Sequence, residues 1–156
     1  MAMEKATFGA GCFWQVEVEF RNTPGVTDVA VGYSGGHVDS PTYEQVCRKD
    51  TGHAEVVEVT FDPAEVSYEQ LLQKFFELHD PTQMNRQGPD VGAQYRSVVF
   101  FHSPEQERAA TAAREAEQVK HTSPVVTEIS AAGPFWRAED YHQRYLEKRG
   151  LATCRI

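Results

Sequence analysis

The chain reads as an α+β fold, a split β-α-β core with a mixed, largely antiparallel sheet, helices packed on it and further elements after it. Three observations predict this. Strand-type runs alternate with helix-type runs along the chain, two Ser-x-x-Gln sequences mark helix starts, and a stretch near the beginning has the spacing of a helix between two strands.

Lys5 to Ala10 alternates, with Ala6, Phe8 and Ala10 on one face, and makes a short first strand. The next stretch satisfies two periods. Gln15 to Phe20 alternates polar and apolar as a strand would, yet Phe13, Val16 and Phe20 also share one helical face. A helix there completes the order β-α-β-β-α-β followed by α-β-α, and we take the helix. Val26 to Tyr33 is the second strand, with Val29, Val31 and Tyr33 together. Ala54 to Phe61 is the clearest, ended by Asp62-Pro63. Ser67 with Gln70 forms a capping box that opens a helix, whose buried stripe is Leu71, Leu72, Phe75 and Phe76 and whose end is Asp80-Pro81. Arg96 to His102 is rich in strand formers. Ser103 with Gln106 is a second capping box, with Pro104 at the first helical position and a stripe of Ala109, Ala112, Ala113 and Ala116. Val125 to Ile129 is the last strand, and Glu139 to Lys148 a last helix stopped at Gly150. The order is that of a ferredoxin-like core.

The 156 residues suit one domain, 1–156, with 148–156 as a C-terminal tail. Apolar residues at 40% exclude a disordered chain. No apolar run approaches the ~20 residues needed to cross a bilayer, and Met1 to Phe8 lacks the apolar stretch of a secretory signal. A net charge of −8 with no Lys/Arg cluster argues against nucleic acid, since phosphate binding needs a basic stripe. The expectation is a soluble, cytoplasmic monomer. Cys12, Cys47 and Cys154 are odd in number and widely spaced, which fits neither a disulfide framework nor a structural zinc site.

Gly9-Ala10-Gly11-Cys12-Phe13-Trp14 stands where a strand ends and a helix begins. A cysteine at a helix N-terminus faces the positive end of the macrodipole, which favours thiolate. Position alone leaves two readings, a reactive thiol or a small buried hydrophobe. Glu55 shares parity with Val57, Val59 and Phe61, so its carboxyl belongs to the apolar face and its pKa should rise, the condition for a general acid. The alternative is an edge glutamate bending to water. His53-Ala54-Glu55 matches the H-x-E element of zinc nucleobase deaminases, but the P-C-x-x-C that supplies the other ligands is missing. Pro41-Thr42-Tyr43 and the long loop Met84 to Arg96 contribute Tyr43 and Tyr95, whose hydroxyls either donate to a substrate oxygen or simply satisfy a carbonyl. The tail bearing Cys154 is short, with Lys148, Arg149 and Arg155 to favour a thiolate; it reads as a resolving thiol or as a terminal cysteine of no consequence. Cys47, between Val46 and Arg48, has no obvious partner and reads as structural.

Seven pieces in order resemble the A-type peptide-methionine (S)-S-oxide reductases: G-C-F-W at 11–14, G-Y-S-G-G at 32–36, P-T-Y at 41–43, T-G-H-A-E at 51–55, H-D-P-T at 79–82, R-Q-G-P-D-V-G-x-Q-Y-R-S at 86–97 and A-E-D-Y-H-Q at 138–143. The resemblance implies a thiol cycle on the S epimer of methionine sulfoxide, in proteins or as the free amino acid. In it Cys12 attacks the sulfoxide sulfur, Glu55 protonates the oxygen with help from Tyr43 and Tyr95, and Phe13 with Trp14 holds the methyl group. Asp90 matches a position that lines the site. Cys12 becomes a sulfenic acid, Cys154 condenses with it to a disulfide, and thioredoxin restores the dithiol, with no metal or other cofactor. The chain departs from the family at Gln15, where glycine is usual, and in having one tail cysteine where many relatives have two. Two rival readings are a thiol hydrolase using His53 as base, and a binding module whose cysteines are incidental.

Overall fold

The computed structural model describes residues 3–47, 51–139 and 142–143. In chain order the elements are β1 (Glu4–Ala10), α1 (Phe13–Arg21), β2 (Val26–Ser34), α2 (Tyr43–Cys47), β3 (Ala54–Phe61), α3 (Tyr68–Glu77), β4 (Arg86–Gln87), β5 (Asp90–Val91), a 3₁₀ turn (Ala93–Tyr95), β6 (Ser97–Phe101), α4 (Pro104–Gln118), β7 (Glu128–Ala131) and β8 (Trp136–Arg137). The sheet runs β7-β6-β1-β3-β2-β8, and every pairing in it is antiparallel except β6 with β7. Its middle four strands are the split β-α-β core that the sequence predicts, and β6-α4-β7 adds a parallel crossover at one edge.

Between β1 and β2 the helical period wins because the face it creates has somewhere to go. Phe13, Val16 and Phe20 are buried, and Phe20 stacks on Phe8 of β1 at 5.1 Å. Phe8 meets Phe75 of α3 at 5.2 Å on its other side, so one strand residue joins both helices. The same helix buries a charge. Glu17 is fully buried and accepts from the Arg21 guanidinium at 3.3 Å, while Arg21 also donates to the Val29 carbonyl at the β2 edge and pairs with Asp28. That pair ties α1 to β2, whose pairing with β3 is interrupted by a bulge between Val26 and Asp28.

The Ser67–Gln70 box forms in both directions, at 3.0 and 2.8 Å, and Leu71, Leu72, Phe75 and Phe76 are buried as predicted. The second box is only half made. Ser103 Oγ accepts from Gln106 N, but the Gln106 side chain accepts from His102 N and donates to the Lys5 carbonyl, anchoring α4 to β1. This turns the helix relative to the predicted stripe: Gln106, Ala109, Ala110 and Ala113 face inward, and Ala112 and Ala116 face solvent. The last predicted strand also moves. Val126 N donates to Pro81 O, so pairing with β6 starts at Glu128 and runs to Ala131. The predicted helix from Glu139 to Lys148 lies, beyond Glu139, His142 and Gln143, outside the described residues.

The inward stripe of α4 can be checked by overpacking. Ala110→Leu should cost about 1–3 kcal/mol in denaturant unfolding, and Ala112→Leu less than about 0.5 kcal/mol. Equal losses would return the helix to the alanine stripe read from sequence.

Candidate active site

Four strands deliver side chains to one end of the sheet. Ala10 ends β1 opposite Ser97, which begins β6, and Ser34 ends β2 opposite Ala54, which begins β3. Cys12 follows β1, Tyr43 follows β2, Glu55 opens β3 and Tyr95 precedes β6. Antiparallel pairing therefore gathers residues 83 positions apart in sequence at a common edge.

Cys12 is the N-cap of α1, half-buried, with its carbonyl accepting the first helical bond from Val16 N. Gly11 sets it there: a φ of +97° turns the chain out of β1, and a Cβ at Gly11 would meet Gln87 at 3.0 Å. Phe13 N, an unpaired donor of the first helical turn, donates to Glu55 Oε1 at 3.3 Å. Cys12, as the N-cap, and Glu55, through Phe13 N–H, thus share one helix end. Glu55 is 2% exposed, and its Oε2 has no hydrogen-bond partner among the described residues. Burial pushes its pKa up from 4.5 to about 8, against the Phe13 N–H that favours the carboxylate, and the Asp90 charge adds to the rise. Desolvation outweighs the donor, so the carboxyl carries a proton at neutral pH.

Two phenols stand near it. Burial raises the pKa of both Tyr43 and Tyr95, and the Glu55 charge raises each further, so both remain hydroxyl donors. The stretch read as a loop from Met84 to Arg96 is built more firmly than its composition suggests. β4 and β5 form a small hairpin with Gln87 opposite Asp90, Gln87 clasps both backbone groups of Asp80 at 2.9 Å, and Arg96 holds the 3₁₀ turn through Ala93 O at 2.9 Å. Asp90, raised in pKa by burial, shares with Cys12, Gln15 and Leu78 the lining of a cleft of about 200 Å³. Gln15 also reaches Glu19 at 3.3 Å along α1.

His53 has a different task from the one the hydrolase reading requires. Its Nδ1 accepts from Gly36 N at 3.0 Å and its Nε2 donates to Val38 O at 2.6 Å. Both ring nitrogens are committed to the loop after β2, which passes so close that a Cβ on Gly36 would lie 2.4 Å from His53 N. A base needs a lone pair, and this one is spent. Among the described residues no three His, Cys, Asp or Glu side chains converge as metal ligands would.

The aromatic side of the site is deeper than its motif implied. Phe13 is 1% exposed and packs behind Trp14, which is half-buried. Two residues that sequence reasoning gave no role complete the wall. Glu139 accepts from Tyr43 N at 3.1 Å and from the Tyr33 hydroxyl at 3.3 Å, and His142 Nδ1 accepts from Trp14 Nε1 at 3.0 Å. Burial works against the Glu139 charge, but its own amide, Tyr43 N–H, His142 and Tyr33 outweigh it and hold its pKa below the ordinary value. Their only sequence signal was membership of the A-E-D-Y-H-Q piece. Cys47, read as having no partner, corrects that reading. It lies one turn after Tyr43 on α2, and burial pushes its pKa up, with the Glu55 charge adding to the rise and the neighbouring Tyr43 working against it. Cys154 lies outside the described residues.

Comparison with known proteins gives the family. The family model described as peptide methionine sulfoxide reductase matches residues 4–156. A curated relative from Geobacter sulfurreducens, peptide methionine sulfoxide reductase MsrA, is 64% identical over 99% of this chain and 96% of its own. Among solved structures, reduced Mxr1 from Saccharomyces cerevisiae has a TM-score of 0.89 at 38% identity, covering 95% of this chain and 86% of that one. Mxr1 in complex with Trx2 has a TM-score of 0.66 at 25% identity, covering 92% of this chain and 84% of that one. A chain with a cysteine capping a helix against a buried, protonated glutamate, and with these relatives, belongs to the MsrA-type peptide methionine sulfoxide reductases.

Proposed function

We propose that this methionine sulfoxide reductase acts on the S epimer, in proteins and as the free amino acid, by a cycle run on its own thiols. One observation carries the reading: a carboxyl that is buried and proton-bearing at neutral pH shares a helix N-terminus with Cys12. A sulfoxide oxygen departs poorly unless protonated, and the thiol that displaces it must be ionised, so the reaction needs a neutral acid beside a stabilised thiolate. The helix end favours the anion on sulfur while burial withholds charge from Glu55.

In this cycle Tyr43 and Tyr95 donate to the sulfoxide oxygen, and Trp14, backed by Phe13, receives the methyl group. Asp90 supports the hydrogen bonding at the rim. Cys12 thiolate attacks the sulfoxide sulfur as Glu55 gives its proton to the oxygen. The attack joins the two sulfurs; as that bond breaks, the hydroxyl moves to Cys12, which is oxidised to a sulfenic acid, and the bond's electron pair stays on the substrate sulfur, which leaves as methionine. Cys154 then attacks the Cys12 sulfur, water departs, and a Cys12–Cys154 disulfide remains for an external dithiol. The complex of the yeast relative with Trx2 supports thioredoxin in that role. Every electron comes from a thiol, so the cycle calls on no metal or other cofactor. The absence of a helix long and apolar enough to cross a membrane among the described residues is compatible with a cytoplasmic, monomeric repair enzyme acting on oxidised protein.

Pre-reduced protein given methionine sulfoxide without reductant should lose two thiols, Cys12 and Cys154, while Cys47 stays alkylatable. Cys12→Ser should give no turnover at all. Cys154→Ser should complete one turnover and stop as a trapped sulfenic acid; normal cycling with thioredoxin would remove the tail from the mechanism.

Glu55→Gln should lower the single-turnover rate by about 10²–10⁴ below pH 8 and erase the decline expected of the wild type above it. The same substitution should stabilise the fold. Between pH 4.5 and about 8 the folded chain holds a proton on Glu55 that the unfolded chain releases, so stability falls as pH rises through that window. At pH 7 the neutral amide should recover on the order of 3 kcal/mol in urea unfolding, and a destabilised variant would mean that the carboxyl is ionised in the fold.

A further inference from the structure

The segment from Pro134 to Gln143 is strapped across the β2 edge. Ser34 Oγ donates to Pro134 O at 2.9 Å, β8 pairs with Gly32 and Tyr33, and Ala138 N donates to Val31 O at 2.9 Å. The Gln143 side chain finishes the strap by taking both backbone groups of Val31: its Oε1 accepts from Val31 N at 3.0 Å and its Nε2 donates to Val31 O at 2.8 Å. With Val31 and Ala138 fixed in this way, the place of His142 is fixed too. Its ring centre lies 4.5 Å from that of Tyr43, 5.2 Å from Phe13 and 5.5 Å from Trp14, and Nδ1 takes the indole N–H.

We propose that His142 is a positioning residue for sulfoxide binding: through Nδ1 it sets the plane of the Trp14 indole, and through its ring it props Tyr43, so that apolar wall and hydroxyl donor face one substrate. This rests on the reading that Trp14 and Tyr43 contact the sulfoxide. An indole ring slides freely over apolar neighbours unless its one donor is held, and a half-buried N–H without an acceptor is costly. Imidazole offers that acceptor only when neutral, with its other nitrogen protonated. Burial favours the neutral form, against the charge of Glu139. Glu139 grips Tyr43 from the backbone side, so the phenol is fixed at both its main chain and its ring.

Two substitutions separate the acceptor from mere packing. In His142→Asn the amide oxygen falls where Nδ1 stands, and in His142→Gln it falls one atom farther out. In pre-reduced enzyme, the methionine sulfoxide concentration giving half the maximal single-turnover rate should rise about tenfold in His142→Gln, the loss of one hydrogen bond of about 1.4 kcal/mol. The maximal rate should stay within about twofold, because binding rather than chemistry is lost. His142→Asn, which keeps the acceptor and loses the ring against Tyr43, should recover most of that loss, its half-saturating concentration staying within about threefold of wild type. Equal behaviour of the two variants, or a change confined to the maximal rate, overturns the proposal. Indole emission gives a readout independent of turnover. With Trp136 replaced by Phe, leaving Trp14 as the one tryptophan, emission should move to the red in His142→Gln and hold in His142→Asn. An emission shift without any sulfoxide reduction in the wild type would sink the catalytic reading and leave the indole contact standing; no shift would sink the contact itself.

Discussion

The burial that keeps one carboxyl uncharged governs the architecture around it. Glu55 opens a strand and is walled off from water, yet it sits against a helix end whose field and N–H favour its ionised form. The proposed cycle runs only while burial prevails, which requires tight packing on every side of that carboxyl. Much of the surrounding structure can be understood as meeting this demand. Phe13 fills the space beneath the helix start, His53 draws the loop after β2 over the head of β3, and the 3₁₀ turn covers the far side with Tyr95. The His53 ring and the Arg96 guanidinium hold these covering segments by bonding to main-chain groups.

The split β-α-β topology makes such a site easy to assemble. Neighbouring antiparallel strands put the end of one beside the start of another, so a helix start after β1 and a carboxyl at the head of β3 lie together although Cys12 and Glu55 are 43 positions apart. The thiol and the acid are then fixed to the best-packed part of the molecule, while the donors Tyr43 and Tyr95 come from shorter elements laid over it. In the proposed cycle the best-packed placement falls to the reacting groups, whose misplacement costs far more than a shift in a substrate contact.

Much of this was legible in the residues. The parity of Glu55 with Val57, Val59 and Phe61 predicted its face, because β3 is an uninterrupted strand whose side chains obey a period of two. The helix after Cys12 was harder, since Gln15 to Phe20 fits both periods and only the topology decides between them. The alanine stripe of α4 misled because alanine suits either face, and the decision fell to Gln106 reaching across to the Lys5 carbonyl. The β4–β5 hairpin escaped notice because strands of two residues carry no periodicity at all. Glu139 and His142 were beyond any local pattern: their partners Tyr33, Tyr43 and Trp14 are 96 to 128 residues away in sequence. Motif recognition found the segment, and only folding gave it a purpose.

The same strap and the Arg21 guanidinium have an effect on the outside of the molecule. Along the exposed side of β2, Val29 offers its carbonyl to Arg21, Val31 gives both groups to Gln143 and Ala138, and Gly32 and Tyr33 pair with the two residues of β8. The bulge and the charged Asp28 spoil the stretch before them. An unguarded sheet border is an invitation to aggregation, because any extended segment can zip onto it. Here the border is plugged by side chains and by the backbone of the strap in turn, so such a segment has no continuous row of donors and acceptors to join.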